Sequence, residues 1–170
     1  SGSAIITVNP LPTATIAGTT AVCLNAASPL ITFTGAGATA PYTFTYTING
    51  GPNQTVTTIA GNSVTVAVPT NVAGTFTYAL VSVQDGSSTL CSQAQAGSAV
   101  VIVHPLPTPN FTFTIPSCET GTITFTDGSI ANVGTLTGWS WNFGDPGSGP
   151  FNTSTLQNPT HTFAAAGTYT

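Results

Sequence analysis

The chain has 170 residues and contains no Lys and no Arg; its only acids are Asp85, Glu119, Asp127 and Asp145, for a formal net charge of -4. Without cations it cannot displace phosphate counterions or hold anionic headgroups, which excludes nucleic-acid binding and charge-driven membrane attachment. No apolar run reaches the ~18 residues that a membrane-spanning helix needs, so membrane insertion is not expected.

About one residue in five is Thr. The surface this implies is hydroxyl, amide and glycine, with few ion pairs and no trypsin site. Its sheet edges lack the Lys residues that usually block edge-to-edge pairing, so copies of the chain are expected as partners. The length suits one or two domains. No segment reads as a signal peptide, so for a secreted protein the targeting segments would lie outside this stretch.

In chain order, the first feature is a repeat. "GSAIITVNPLPT", Gly2–Thr13, returns as "GSAVVIVHPLPT", Gly97–Thr108, at an offset of 95, and at the same offset Cys23 falls on Cys118. The shared part reads as a junction: a last strand, a Pro-stiffened connector and the entry to the next domain. Residues 1–11 are therefore expected to be the last strand of a preceding domain plus a linker. Ile5, Ile6, Thr7 and Val8 would pair either with an upstream repeat or, by strand exchange, with a neighbouring copy.

Residues 12–104 read as one β-sandwich. Short runs rich in Val, Ile, Thr, Phe and Tyr recur at Ile31–Thr34, Tyr42–Asn49, Gln54–Ile59, Ser63–Val68, Thr75–Val83 and Ala99–His104, broken by Gly, Pro, Asn and Ser. In Tyr42–Ile48, Tyr42, Phe44, Tyr46 and Ile48 share one face and the Thr residues the other, as in an antiparallel sandwich with one wet face. Asn49–Gly51 is a hairpin-turn signal. Cys23 and Cys91 stand near the start and the end of this domain and are read as a disulfide, with two buried free thiols as the alternative. Such a bridge would contribute roughly 4 kcal/mol by chain entropy.

Residues 105–107 form a Pro-rich linker, preceded by His104 as a polar linker position. Residues 108–170 read as a second sandwich with strands near Asn110–Ile115, Thr122–Thr126 and Gly138–Phe143. Trp139, Trp141 and Phe143 share a strand face. Gly144 permits a turn, and the Asp145 carboxylate can accept bonds from turn amides. The chain ends within a strand-like run, so this sandwich is expected to lack its last strand. His161 alternates with Phe163 and is read as packing or bonding to a loop. No catalytic spacing, metal-ligand cluster or cofactor motif is visible, and no enzyme is expected. Trp139, if exposed, would offer a stacking platform for surface glycans.

The stretch "GWSWNFGDPGSG…NPTHTFAAAGTYT" resembles the PKD family, immunoglobulin-like β-sandwich modules with a W-x-F-G-D signature followed by P-x-H-x-(Y/F)-x-x-x-G-x-Y. The matching residues are Trp141, Phe143, Gly144, Asp145, Pro159, His161, Phe163, Gly167 and Tyr169. Pro146 replaces the usual Gly, so the turn is expected to differ in detail. Pro12–Pro107 resembles the tandem repeats of very long Bacteroidetes surface proteins that use the type IX secretion route, some of them adhesins. That resemblance implies an extracellular spacer or adhesive module and agrees with a Cys23–Cys91 pair. By the same logic, Cys118 would pair with a residue beyond Thr170.

Together these features predict two tandem Ig-like antiparallel β-sandwiches in a structural or adhesive stalk or filament at the cell surface. Two alternatives compete with the tandem-array reading: a self-polymerising subunit joined by strand exchange, and a carbohydrate-binding accessory module of a secreted hydrolase.

Overall fold

The computed structural model describes residues 2–114 and 121–170; Cys118 and its expected pairing lie outside the described residues. The chain divides into two compact units, Ser1–Pro105 and Leu106–Thr170.

The first unit holds nine strands: β1 Thr13–Ala17, β2 Thr20–Cys23, β3 Leu30–Ala36, β4 Thr43–Ile48, β5 Gln54–Thr57, β6 Ser63–Ala67, β7 Gly74–Gln84, β8 Ser92–Ala94 and β9 Ser98–His104. They form two sheets, ordered β1-β3-β6 and β2-β9-β7-β4-β5, with β8 also on β7. Every pair in this unit is antiparallel except β2 with β9, which runs parallel from Thr20↔Val101 to Cys23↔His104.

Side-chain alternation builds the core. Ile31 and Phe33 from one sheet face Tyr42, Phe44, Tyr46, Tyr78, Leu80, Val83, Ala99, Val101 and Val103 from the other, all buried. The Phe33 ring lies 5.6 Å from Phe44 and 5.0 Å from Tyr46, within the range of favourable aromatic pairs. The Thr residues between them line the outer faces, where hydroxyls pair across strands, as in Thr34 with Ser63 and Thr43 with Thr57.

The β4–β5 hairpin turns at Asn49 and Gly50, both at positive φ, and the Gly51 amide donates to the Ile48 carbonyl. Two successive left-handed residues match the right-handed twist of the flanking strands. A bulge interrupts β4–β7: Thr45 faces Ser82 but Tyr46 faces Leu80, leaving Val81 as an extra residue. The extra residue shifts the burial phase of β7 from Tyr78 and Leu80 to Val83 and Asp85, and it turns Val81 outward.

The expected Cys23–Cys91 bridge is not formed; both thiols are free. Cys23 pairs with His104, beside the start of β7, where Gly74 faces Val103. Cys91 lies at the other end of β7, its carbonyl accepting from the Asp85 amide. Eleven residues of strand at about 3.3 Å each put roughly 35 Å between those ends, whereas a disulfide needs Cα atoms within about 7 Å. Nor are the thiols both buried: Cys23 is exposed.

The second unit is built from β10 Phe111–Phe113, β11 Ile123–Asp127, β12 Trp141–Asn142, a 3₁₀ segment Pro146–Asn152, β13 Thr153–Ser154 and β14 Thr160–His161. One sheet is ordered β10-β11-β14, and β12 pairs with β13 in a second. Gly138–Phe143, expected as one strand, is a strand only at Trp141–Asn142. Among the described residues, no strand pairs with the other edge of β12. No helix among them is long and apolar enough to cross a membrane.

Candidate functional site

The residues singled out in the sequence converge in the second unit on a buried turn. β12 delivers Phe143 to the interior, and Gly144 follows in the left-handed region, at φ 68. That φ reverses the chain and drops Asp145 inward, where it is only 2% exposed. Pro146 opens the 3₁₀ segment that follows. The Asp145 amide donates to Asn152 Oδ1 at 2.6 Å, and the Asp145 carbonyl accepts from the Ser148 amide and hydroxyl. These bonds close the turn on itself.

The carboxylate reaches across to the neighbouring sheet. Its Oδ2 accepts from the Ala164 amide at 2.8 Å and lies 3.1 Å from His161 Nε2. An ionised carboxylate only accepts, so the proton on that ring nitrogen belongs to His161. Burial pushes the Asp145 carboxyl up, but the Ala164 amide and His161 outweigh it, and the group titrates below the ordinary carboxylate value. The His161 ring stacks on Phe143 at 4.3 Å and meets Phe163 edge-on at 4.6 Å; Phe163 in turn lies 4.1 Å from Tyr169. The Tyr169 hydroxyl donates to the Ala165 carbonyl, and the fully buried Pro159 gives its carbonyl to the Phe125 amide. Gly167 sits beside the Tyr169 ring.

A second carboxylate serves the opposite end of this unit. Asp127 Oδ1 accepts from the Ser129 amide, and Oδ2 accepts from the Trp139 indole N–H at 2.9 Å and from Gln157. Hydrogen bonds from Ser129, with Trp139 and Gln157 after it, lower its pKa to about 2. Trp139 is thus half-buried and tied by its polar edge. Asp127 and Asp145 share no partner. Among the described residues, no group of three or more His, Cys, Asp or Glu side chains is placed to hold a metal ion.

Between these carboxylates lies an open cleft of about 1250 Å³. Phe111, Phe113, Phe125, Trp139, Trp141 and Phe143 line it, and among the described residues no lining side chain is charged. Phe111 and Phe113 are half-exposed, at 50% and 56%. The rings touch one another: Phe125 lies 5.2 to 6.2 Å from Phe111, Phe113, Trp141 and Phe143. The sequence reading passed over Phe111, Phe113 and Phe125. Their alternation in "NFTF" and "ITFT" signalled strand faces, but not that both faces border the same open space.

The leading segment is the other exposed apolar feature. Ile5, Ile6 and Val8 are 90%, 87% and 87% exposed, and Thr7 between them is exposed as well. No strand includes them; the Asn9 amide nitrogen fixes the root of the segment by donating to Thr89 Oγ1.

Residues 104–170 match the PKD domain family, and this match includes the whole Asp145–His161 arrangement. No curated protein matches the chain. Among solved structures, the CARDB domain of a Pyrococcus furiosus protein, determined in complex with di-metal ions, is similar at 15% identity over 58% of this chain and 99% of that one, with a TM-score of 0.32.

Proposed function

We propose that this chain is a load-bearing structural segment of an extracellular bacterial surface protein, a stalk or adhesin module with no catalytic role. The observation that carries this reading is the parallel pairing of β2 with β9, close to the first and last strands of the first unit. Tension enters that unit ahead of Thr13 and leaves after His104. Two parallel neighbours pulled from opposite ends slide along their common axis, so the four-residue ladder and the Leu24 amide bond to the His104 carbonyl are loaded in shear, all at once. An antiparallel hairpin pulled at its open end would instead release its bonds one at a time.

The polar groups of the second unit support the same reading. The Asp145 carboxylate and His161 ring are buried and spend their bonds on each other and on a backbone amide. That arrangement welds a turn to a sheet; it leaves no free base facing solvent. The PKD match and the uncharged, hydroxyl-rich surface agree with an extracellular setting.

Single-molecule pulling on the whole chain tests the proposal. The expected record has a distinct unfolding peak for the first unit, and Leu24→Pro, which removes the amide donated to His104, lowers its force. Extension without a peak, or a peak indifferent to that substitution, would overturn the load-bearing role.

A further inference from the structure

We infer that the Asp145–Pro146 peptide bond is a self-cleavage site: in mild acid the Asp145 carboxylate attacks its own main-chain carbonyl, and the chain parts ahead of Pro146. The event happens once, on the chain itself. It is independent of the load-bearing reading, since cleavage needs no force.

Pro146 is where the chain departs from the PKD pattern, which usually has Gly after the motif Asp. The substitution creates the one Asp–Pro bond of the chain; Asp85 and Asp127 each precede Gly. A turn alone would be served by Gly. Pro changes the bond itself, because its nitrogen carries an extra carbon in place of the hydrogen. Such a nitrogen is more basic than an ordinary peptide nitrogen and leaves more readily once protonated.

The fold brings three groups to this bond. The first is the nucleophile. The Ala164 amide at 2.8 Å and His161 Nε2 at 3.1 Å both bond Oδ2 of Asp145. They outweigh burial and hold the carboxyl below its ordinary value, so it stays ionised in mild acid. Oδ1 lies on the side of the scissile bond, where a Cβ placed on Gly147 would stand 3.4 Å from it. The second is a pair of donors. The Asp145 carbonyl accepts from the Ser148 amide at 3.1 Å and from the Ser148 hydroxyl at 2.8 Å. Donors at such distances stabilise the charge that an attacked carbonyl oxygen gains. The third is the leaving nitrogen. Asp145 is buried but Pro146 is exposed, so solvent protons reach the nitrogen while the carboxylate stays sheltered.

The bonds change as follows. Oδ1 gives an electron pair to the carbonyl carbon, closing a cyclic anhydride of the succinic type. The C–N bond breaks, and its electron pair stays on the Pro146 nitrogen, which takes a proton from solvent. Water then opens the anhydride, leaving Asp145 with a side-chain and a terminal carboxylate and Pro146 as a new amino terminus. One water is consumed, and no oxidant, reductant or cofactor takes part. The rate rises as pH falls, because the nitrogen must be protonated. It levels off where the Asp145 carboxylate itself takes up a proton. β12, β13 and the 3₁₀ segment carry no titratable side chain, and β14 brings only His161; Asp127 serves the opposite end of the unit. Beyond the cut, β13 and β14 pair with β12 and β11 over two residues each, so the pieces stay associated until denatured.

The test incubates the full chain and reads it by denaturing electrophoresis and mass spectrometry. At about pH 5 Asp127 keeps its stabilising charge, so the second unit is folded there. Two fragments, residues 1–145 and 146–170, should form at about pH 5, and at least about tenfold more slowly at about pH 8. In urea at the same pH, where the three groups are no longer held together, cleavage should again be at least about tenfold slower. Ser148→Ala, which removes the hydroxyl donor, should slow it about tenfold or more. Pro146→Gly, which restores the residue usual in the family, should abolish it. A chain that stays whole at about pH 5, or one cut at a different bond, would overturn the inference. Equal rates in the folded and urea-unfolded chain would do the same, since the lability would then belong to the dipeptide and not to the fold. So would a Pro146→Gly or Ser148→Ala chain cleaved as fast as the parent.

Discussion

Gly35→Ala tests the packing of the first unit at its tightest point. A Cβ at Gly35 would stand 2.5, 2.7 and 2.8 Å from Cγ, Cδ2 and Cδ1 of the Tyr42 ring, well inside van der Waals contact. The ring has little freedom to retreat. It is 1% exposed, its hydroxyl donates to the Ala38 carbonyl, its backbone amide donates to Thr58 Oγ1, and Phe44 stacks beside it. Overpacking of this kind costs about 1–3 kcal/mol. For a domain of this size that lowers the melting temperature by about 4–8 °C per kcal/mol. Both Trp residues belong to the second unit, whereas Tyr42, Tyr46 and Tyr78 lie in the first. Three of the four Tyr residues lie in the first unit and Tyr169 in the second, so near-UV circular dichroism of the Tyr bands, followed during urea unfolding, reports mainly the first unit, while Trp emission reports the second. Gly35→Ala should move the Tyr transition and leave the Trp transition in place. In a Tyr42→Leu background, which removes the ring, the Gly35→Ala penalty should largely vanish, a coupling that a double-mutant cycle reads directly. A Gly35→Ala cost below about 0.5 kcal/mol, or one equally large without the ring, would refute the reasoning.

The acid limb of stability should belong to the second unit. The folded value of about 2 for Asp127 lies below the ordinary 3.8, so the stabilisation from its ionised form is complete above about pH 4 and is lost as pH falls through about 2. Ser129→Ala keeps the amide bond but removes the hydroxyl, the largest source of that shift, and carboxyl NMR should show the Asp127 titration moving up toward the ordinary value. His161→Phe keeps a ring against Phe143 but takes the donor from Asp145; the Asp145 titration should rise, and the acid transition of the Trp emission should move to higher pH. Cys23→Ser/Cys91→Ser should change stability by less than about 0.5 kcal/mol, with or without reductant, because the two thiols lie at opposite ends of β7. A loss of several degrees would restore the bridge. Antibodies to the first unit should label intact cells of the source organism; labelling only after permeabilisation would contradict the proposed extracellular setting.

What the sequence made legible was local. The alternation in Tyr42–Ile48 announces a strand with an aromatic inner face and a Thr outer face, and β4 has that form. "NGG" announces a tight hairpin because few other residues accept two successive positive φ values. The motif residues from Trp141 to Tyr169 are recognisable as a set, since a Gly-Asp turn and a His alternating with Phe each have a local geometry. What stayed hidden was long-range. The strands β1 and β2 are short and broken by Gly18 and Thr19, so their period is too brief to register, and nothing local marks β2 as the parallel partner of β9. The Val81 bulge inverts burial halfway along β7 with no change in composition to mark it. Two cysteines at the ends of one domain looked pairable because separation along the chain says nothing about which end of an 11-residue strand each one meets. The Asp145–His161 pair is legible only in part: Asp145 reads as bonding its own turn amides and His161 as packing or bonding to a loop, but nothing local says that the loop is the one carrying Asp145, 16 residues away.

The load path through β2 and β9 can be tested most directly by changing the direction of pull on the same molecule. Force applied across residues 12 and 104 shears the parallel ladder, whereas force applied through handles at the facing residues Thr43 and Gln84 peels β4 from β7 at one end. The account predicts a higher peak force for the first geometry, with release of a contour length of about 300 Å from the 92 residues between Thr13 and His104. Equal forces in both geometries, or a weaker response across residues 12 and 104, would contradict it.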